Sequence, residues 1–348
     1  MKYRQNTWAL VLAAGDGTRL ASLTTDSHGI AVPKQFCSLN GGNSLLQEAL
    51  QRAQRIVPNR RVCAIVARNH EPYWRRALWS LPTANVIVQP RNCGTANGML
   101  LGVLRILARD PHAHILFLPS DHHVLDETSL TDSLRAAAAL LRRGREGLLP
   151  NHLLLVGIAP NEPDPELGYI VPGARIGERI SRVTHFVEKP TATEARDLIA
   201  RGAVWSSFIF AAHGAAVVAA IRERYPEIVE GMTTALTRDA FRGNDARELD
   251  AFYERLPTVD FSRSIVQGAE SSLCLLTVPA CGWTDLGTPG RVAAALQRLW
   301  IAPWRRPLLD MRHVPGAVNL ATQYERVRNS LRRPPVVSTK FGEEPIAH

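Results

Sequence analysis

The stretch WALVLAAGDGTRL, from Trp8 to Leu20, decides the fold of this chain. Its apolar beginning predicts a buried strand, and the strand runs directly into a Gly-rich turn. Such a turn points backbone N–H groups at a phosphate, and glycine leaves room for the phosphate to approach. Arg19 adds a planar fork of donors, and Lys34, in the following VPKQF segment (residues 32–36), adds a point charge. Together these residues predict a nucleoside triphosphate site.

Two common phosphate-binding motifs are excluded. The dinucleotide fingerprint requires a third glycine, and this chain has Leu20 at that position. The P-loop ends in Gly-Lys-Ser or Gly-Lys-Thr, and neither run occurs. A simple turn after a core strand would explain Gly15 and Gly17 alone. The addition of Arg19 and Lys34 favours phosphate binding over a simple turn.

The chain is long enough for one large α/β domain, with or without a small appendage. It has 348 residues, of which 45% are hydrophobic and 21% charged. Short apolar segments alternate with helical patterns, which predicts βαβ units and a mostly parallel sheet flanked by helices. After residue 160, prolines interrupt the pattern, and we expect a second half that continues the same sheet.

These patterns predict three regions along the chain. The main domain spans residues 1–300, with its halves divided between residues 160 and 161. Residues 301–331 form an extension to which the sequence assigns no fold. Residues 332–348 contain paired prolines and few apolar side chains, which predicts a disordered tail.

The formal net charge of +9 is compatible with an anionic small substrate or with nucleic acid. The densest basic stretch, residues 52–76, has Trp74 within it and Trp79 nearby, which would suit stacking on bases. A helix face with arginine stems packed over apolar surface explains the same pattern more simply. The sequence therefore favours a small anionic substrate over nucleic acid.

Cysteine use and hydropathy point to the cytoplasm. The five cysteines are odd in number and widely spaced, and no Cys-x-x-Cys pair occurs. This excludes a zinc cage or a disulfide scaffold and fits a reducing compartment. No apolar run reaches 18 residues, and the amino-terminal segment lacks the layout of a signal peptide. We therefore expect no membrane association.

The segment LAAGDGTRL followed by PKQF resembles the signature of sugar-1-phosphate nucleotidyltransferases. The resemblance implies a Rossmann-like α/β fold with a mixed, mostly parallel sheet flanked by helices and a sugar-binding lobe. Residues 1–160 would then bind the nucleotide and residues 161–300 the sugar phosphate. The implied reaction joins a nucleoside triphosphate to a sugar 1-phosphate and releases pyrophosphate.

Further segments match the same family in the same order along the chain. They are QPRNCGTA (89–96), LFLPSDH (116–122), LGYI (167–170), FVEKP (186–190) and CGWTDLGT (281–288). Asp121 lies just past the carboxyl end of a hydrophobic strand, the edge of an open α/β sheet at which ligands bind. A helix cap is the simpler explanation of a lone aspartate there. A different metal site at His122, His123 and Asp126 lacks the usual ligand spacing.

The resemblance implies a role for each matching residue. The nucleotide would contact Ala13, Ala14, Gly15, Gly17, Thr18, Arg19, Lys34, Arg91, Asn92, Gly94 and Thr95. The sugar phosphate would contact Gly168, Tyr169, Glu188, Lys189 and Ser207. Mg²⁺ would be held by Asp121 and Asp285, since two carboxylates with waters and phosphate oxygens suit this ion. The catalytic set would be Arg19, Lys34, Asp121 and Lys189.

Within the family, the PKQF, Arg91-Asn92 and Trp205 features resemble the members that use GTP and mannose 1-phosphate. Two departures concern the choice of sugar and base. Phe208 stands where the family has glycine, and Ala14 replaces a glycine usual in guanylyl- and thymidylyltransferases. Uridylyl or thymidylyl transfer to another hexose 1-phosphate, and a catalytically weak regulatory homologue, remain alternatives. A homo-oligomer is compatible with the sequence.

Overall fold

The computed structural model describes residues 6–26, 28–143, 151–243, 246–301 and 318–332. The strands are β1 (Thr7–Ala13), β2 (Val62–Ala67), β3 (Val86–Gln89), β4 (His114–Pro119), β5 (Leu153–Ile158), β6 (Gly168–Arg175), β7 (Ile180–Glu188), β8 (Val204–His213) and β9 (Leu273–Val278). The helices are α1 (Ala21–Thr24), α2 (Leu45–Gln54), α3 (Glu71–Ala77), α4 (Thr95–Leu107), α5 (Glu127–Arg143), α6 (Ala192–Ala200), α7 (Gly214–Arg224), α8 (Pro226–Phe241), α9 (Arg247–Glu254), α10 (Pro289–Ile301) and α11 (Leu320–Arg332).

Within the described residues, all nine strands form one sheet in the order β3-β2-β1-β4-β8-β5-β9-β7-β6. The β1, β2, β3 and β4 pairings are parallel, as is β5 with β9. The β4–β8, β5–β8, β6–β7, β6–β8 and β7–β9 pairings are antiparallel. The sheet is therefore mixed as predicted, but mostly parallel only in its first half, because β8 inserts in the opposite direction between β4 and β5.

Strand β1 is an interior strand of the parallel half of the sheet, and the Gly-rich loop follows its carboxyl end. It pairs with β2 on one side and β4 on the other, and its apolar residues are almost completely buried. After β1 the chain turns at Gly17, which has a φ of 63°. A Cβ at this position would lie 2.8 Å from the backbone nitrogen of Lys34, so the close approach of the two segments requires glycine.

Part of the extension packs on the first half of the domain. Val318 and Leu320 are buried, and Ser38 bonds to both backbones: its N–H donates to Val318 O and its carbonyl accepts from Leu320 N. Residues 302–317 and 333–348, which include most of the predicted disordered tail, lie outside the described residues. Among those that are described, no helix combines the length and apolarity needed to cross a membrane.

Candidate active site

A cleft of about 400 Å³ opens at the carboxyl ends of β1 and β4. Its walls come from both halves of the domain: the Gly-rich loop on one side, and β6, the end of β7 and part of β8 on the other. Asp121 and Asp285 both line it, although 164 residues of sequence separate the two motifs that carry them. A cleft at this edge of an α/β sheet is the usual position for a ligand.

Lys34 joins the two aspartate motifs beneath this cleft. Its Nζ lies 2.9 Å from Asp121 Oδ2 and donates to the backbone oxygen of Asp285 at 2.6 Å. Burial opposes ionisation of Asp121, but the charges of Lys34 and His122 outweigh it and hold the pKa of Asp121 at about 2. The Asp121 side chain is therefore a carboxylate at any physiological pH.

Asp285 is also ionised. Burial opposes its ionisation, and the adjacent guanidinium of Arg291 overcomes this and lowers the pKa of Asp285. Burial also lowers the pKa of His122 to about 4, so this histidine is neutral between the two aspartates. Its Nδ1 accepts from Trp283 Nε1 at 3.3 Å, which orients the ring.

The donor set of the cleft fits Mg²⁺ only with help from a substrate. Two carboxylates on one cleft are the oxygen donors that Mg²⁺ takes in phosphate-processing sites, where waters and phosphates complete its shell. Throughout the described ranges, no group of three or more His, Cys, Asp or Glu side chains could hold a metal ion. Asp121 and Asp285 therefore suit an ion that arrives with phosphate oxygens.

The alternative metal site at His122, His123 and Asp126 is not assembled. His123 Nδ1 lies 3.3 Å from Glu48 Oε2, outside the cleft. Asp126 accepts from the backbone N–H groups of Thr128 and Ser129 and so caps the start of α5. The alternative prediction of a metal site here is wrong.

Most of the predicted nucleotide residues come together on one wall of the cleft. They are Ala14, Gly15, Gly17, Arg19, Asn92, Gly94 and Thr95. Gly94 has a φ of 88°, and a Cβ there would lie 2.4 Å from Val259 O, so glycine is required for this turn. Arg19 Nη1 lies 3.1 Å from Glu166 Oε2, which extends from the opposite wall.

Besides Lys34, which lies beneath the cleft, three predicted nucleotide residues do not line it. Ala13 is buried within β1, and Thr18 starts a short 3₁₀ turn behind the loop. Arg91 donates to the backbone oxygens of Tyr253 and Glu254, both at 2.9 Å. Arg91 therefore fixes the chain around α9 and does not face the cleft.

Of the residues predicted to bind the sugar phosphate, Gly168, Glu188 and Lys189 line the cleft. A Cβ on Gly168 would lie 2.7 Å from Glu188 Oε2, so glycine is what lets these two strands present the carboxylate. Burial, followed by the nearby charge of Asp260, raises the pKa of Glu188 to about 7. A carboxyl group poised near neutrality can either donate or accept a hydrogen bond.

Ser207 and the side chain of Tyr169 do not line the cleft. The Ser207 hydroxyl is fully buried and donates to Val156 O at 2.7 Å. Tyr169 is also fully buried, and its hydroxyl accepts from Trp205 Nε1 at 3.1 Å. The neighbouring Ser206 lines the cleft instead of Ser207, on the same side of β8 as Phe208, because side chains alternate along a strand.

Sequence reasoning missed several residues of the cleft and its support. They are Asp164, Glu166, Asp260, Ser262 and Arg291. One unused signal concerned lysine: only four of the 41 lysines and arginines are lysine, and Lys34 and Lys189 are two of them. Because this chain mostly uses arginine, a lysine inside a motif indicates a position where a compact ammonium suits a phosphate.

A family model described as Nucleotidyl transferase matches residues 8–299. The chain belongs to the nucleotidyl transferase family. The match covers the Gly-rich loop, both aspartate motifs and the Glu188-Lys189 pair, so the predicted family is confirmed. The match ends within α10, ahead of the extension that packs on the first half of the domain.

Curated relatives extend the comparison. The chain is 28% identical over 286 residues to "Alginate biosynthesis protein AlgA" of Pseudomonas syringae pv. tomato, covering 80% of this chain and 56% of the relative. It is 24% identical over 305 residues to "Mannose-1-phosphate guanylyltransferase" of Sinorhizobium fredii, covering 85% of this chain and 54% of the relative. The chain thus spans about half the length of the curated relatives it matches.

Solved structures agree on the fold. A protein described as mannose-1-phosphate geranyltransferase from Thermus thermophilus is 30% identical, with a TM-score of 0.65 over 81% of this chain and 76% of that one. A UDP-glucose pyrophosphorylase bound to UDP-glucose matches with a TM-score of 0.53 at 12% identity, over 84% of this chain and 98% of that one. These neighbours confirm the predicted nucleotidyltransferase-like α/β fold with a mixed sheet.

Proposed function

We propose that this protein transfers a nucleotidyl group from a nucleoside triphosphate to a sugar 1-phosphate and releases pyrophosphate. The observation that carries the proposal is the buried Lys34 ammonium, which joins Asp121 and Asp285 beneath a cleft that is also lined by the Gly-rich loop and the Glu188-Lys189 pair. Membership of the nucleotidyl transferase family supports it.

The chemistry needs positioning and charge more than proton transfer. The attacking oxygen of a sugar 1-phosphate is already ionised, so an in-line displacement at the α-phosphorus requires no general base. Lys34 and Arg19 would stabilise charge on the triphosphate and on the departing pyrophosphate. Lys189 would hold the sugar phosphate, and Glu188 would bind sugar hydroxyls. Mg²⁺ at Asp121 and Asp285 would supply further stabilisation of the phosphate charge.

We infer that GTP and mannose 1-phosphate are the favoured pair. The support is the PKQF and Arg91-Asn92 features of the sequence together with relatives whose names specify mannose 1-phosphate. Phe208 lines the cleft where the family resemblance implies glycine, so the sugar is the less secure half of the pair. Uridylyl or thymidylyl transfer to another hexose 1-phosphate is the alternative: Ala14 favours uridylyl transfer over guanylyl transfer, and Phe208 favours a different sugar.

The experiment is a matrix of four nucleoside triphosphates against several hexose 1-phosphates, with pyrophosphate release and a nucleotide-sugar product as readouts. Asp121→Asn is the inactive reference, because it removes the negative charge of one carboxylate without changing the size of the side chain. We expect turnover that depends on both substrates and on Mg²⁺, with GTP and mannose 1-phosphate giving the highest kcat/KM. Absence of turnover with every pair would overturn the proposed reaction. A tenfold preference for another pair would overturn only the choice of substrates.

A nucleic-acid-binding function finds little support in the basic stretch. Arg52 is buried and forms a two-pronged ion pair with Glu127, and Arg68 does the same with Asp250. The Trp74 indole donates to Ala67 O and packs, partly buried, against the core. The five cysteines are unpaired and buried, in keeping with the proposed cytoplasmic location.

A further inference from the structure

Arg291 connects Asp285 to a third carboxylate outside the recognised motifs. Its Nη1 donates to Asp285 Oδ1, and its Nη2 donates to Asp164 Oδ2. The side chains of Arg291, Asp285 and Asp164 are only 14%, 9% and 14% exposed. An ion pair shielded from water is far less screened than one at the surface, so this bridge has a strong influence on the charge of Asp285.

Local structure holds the Asp285 end of the bridge in place. The backbone N–H of Gly287 also donates to Asp285 Oδ1, at 3.0 Å. A Cβ on Gly287 would lie 2.4 Å from Asp285 Oδ2 and 2.9 Å from Arg291 Nη1, so the turn needs glycine. Within the described structure, both hydrogen bonds to this carboxylate fall on Oδ1. The carboxylate is therefore anchored through one oxygen.

The Asp164 end is fixed as well. Asp164 lies in the loop between β5 and β6, and its backbone N–H donates to the Tyr169 hydroxyl at 2.8 Å. The same hydroxyl accepts from Trp205 Nε1, and both aromatic side chains are buried. The loop thus rests on the core, and the backbone of Asp164 is held beside Arg291 by its hydrogen bond to a buried side chain.

The charges of these groups nearly balance. Asp121 pairs with Lys34, Asp285 with Arg291, and Asp164 adds one further negative charge through Arg291. A pair of carboxylates that is already balanced by two cations attracts a divalent cation weakly on its own. The phosphates of a bound triphosphate would supply the missing charge and oxygen ligands.

We propose that Arg291 is a positioning residue that holds Asp285 and, together with Asp164, sets how tightly the nucleotide-free protein binds a divalent cation. The cation is then bound firmly only together with the nucleoside triphosphate. The inference rests on the proposed function, since it assumes that Asp285 is a metal ligand.

The test measures Mn²⁺ binding to the nucleotide-free protein by electron paramagnetic resonance, with no turnover required. Arg291→Met removes the positive charge and should tighten Mn²⁺ binding by about tenfold or more, which is at least 1.4 kcal/mol. Asp164→Asn removes the negative charge behind Arg291 and should weaken Mn²⁺ binding several-fold. Arg60→Met, at an exposed arginine in the turn before β2 and so on the amino side of the sheet, is the matched control and should leave Mn²⁺ binding unchanged.

The opposite signs of the two variants separate an electrostatic role from a merely structural one. A disrupted fold would change Mn²⁺ binding in the same direction in both variants, and that result would overturn the proposal. Equal binding by wild type, Arg291→Met and Asp164→Asn would overturn it too. If Arg291→Met does not fold, the direction of the Asp164→Asn change decides.

Turnover supplies an independent readout. Arg291→Lys keeps the charge but loses the bridge, so Mn²⁺ binding should stay near wild type while kcat falls and the KM for sugar 1-phosphate is unchanged. A kcat equal to wild type would show that the bridge does not position Asp285. A protein that turns over no substrate pair would contradict the proposed function, whereas the Mn²⁺ result would still decide the role of Arg291.

Discussion

Lys34 and Asp121 form an ion pair of 2.9 Å in which the lysine is only 5% exposed. The same ammonium donates to the backbone oxygen of Asp285, so a single buried charge links both aspartate motifs to the segment that follows the Gly-rich loop. A buried ammonium needs such partners, because an unpaired charge in this position would be strongly destabilising. Lys34 is therefore both a structural and an electrostatic element of the cleft.

Replacing Lys34 with methionine should lower kcat by about 10²–10³-fold, since a charged contact to the reacting phosphates is lost. It should also raise the pKa of Asp121 from about 2, because burial then opposes ionisation without the ammonium to offset it. The acid limb of the kcat–pH profile should move to higher pH. Lys189→Met is the control: it should raise the KM for sugar 1-phosphate and leave the acid limb in place.

The same shift has a consequence for stability. The folded pKa of Asp121 lies below its unfolded value of 3.8, so its ionisation stabilises the fold above that pH, and this contribution is lost as pH falls toward 2. In Lys34→Met this contribution should be absent. Identical acid-unfolding midpoints for wild type and variant would show that the ion pair does not govern Asp121.

Glu166 should compete with phosphate for Arg19. The two side chains form an ion pair of 3.1 Å across the cleft, and both are about half exposed. Because exposed ion pairs contribute at most about 1 kcal/mol, Glu166→Gln should tighten triphosphate binding by no more than about fivefold. Arg19→Gln should instead weaken it and lower kcat. Titration calorimetry with a non-hydrolysable triphosphate measures both effects, and weaker binding by Glu166→Gln would contradict the competition.

Glu188 should give sugar-phosphate binding a pH dependence centred near neutrality. Burial and Asp260 raise its pKa to about 7, so it ionises between about pH 6 and 8. The ionised carboxylate accepts hydrogen bonds from hydroxyls more strongly, so the KM for sugar 1-phosphate should fall as pH rises. Glu188→Gln should remove this change and leave only the titration of the substrate phosphate.

Stability provides a second measurement of the same group. The folded pKa of Glu188 lies above its unfolded value of 4.5, so the folded state binds more protons and stability falls as pH rises from 4.5 to 7. The melting temperature of Glu188→Gln should fall less over this interval than that of wild type. The same change of melting temperature with pH in both proteins would contradict the raised pKa of Glu188.

Local motifs in the sequence predicted the Gly-rich loop, Lys34, Asp121 and Glu188, because each lies in a short segment whose chemistry is self-contained. The Arg291–Asp164 bridge was not predictable, since its two residues are 127 positions apart and meet only through the packing of α10 against the β5–β6 loop. The family resemblance implied Ser207, whereas Ser206 lines the cleft, because only the structure shows which face of β8 is turned toward it.

The backbone conformation of Phe208 could not be predicted from the sequence either. Its φ is 57°, a left-handed conformation that bulky residues rarely adopt. Its ring packs edge-on against Phe261 at 6.5 Å. Phe208→Ala should lose this packing and keep the backbone strain. Phe208→Gly should also lose the packing, but it should relieve the backbone strain. We expect the glycine variant to be more stable than the alanine variant by about 1 kcal/mol in urea unfolding. Equal stabilities would show that the backbone is not strained there.

We expect the extension to stabilise the domain through its buried residue Leu320. It is 0% exposed at the start of α11, its N–H donates to Ser38 O at 2.8 Å, and α11 packs against α1 behind the Gly-rich loop. Truncating a fully buried leucine leaves a cavity, so Leu320→Ala should lower the free energy of unfolding by about 2–5 kcal/mol. The exposed Thr322, two residues further along the same helix, provides the control. Thr322→Ala should change the free energy of unfolding by less than about 0.5 kcal/mol. If Leu320→Ala were as mild as Thr322→Ala, the extension would not be packed on the core in solution.

Because the buried turn before α11 hydrogen-bonds to the segment following Lys34, we also expect Leu320→Ala to raise the KM for the triphosphate more than the KM for sugar 1-phosphate.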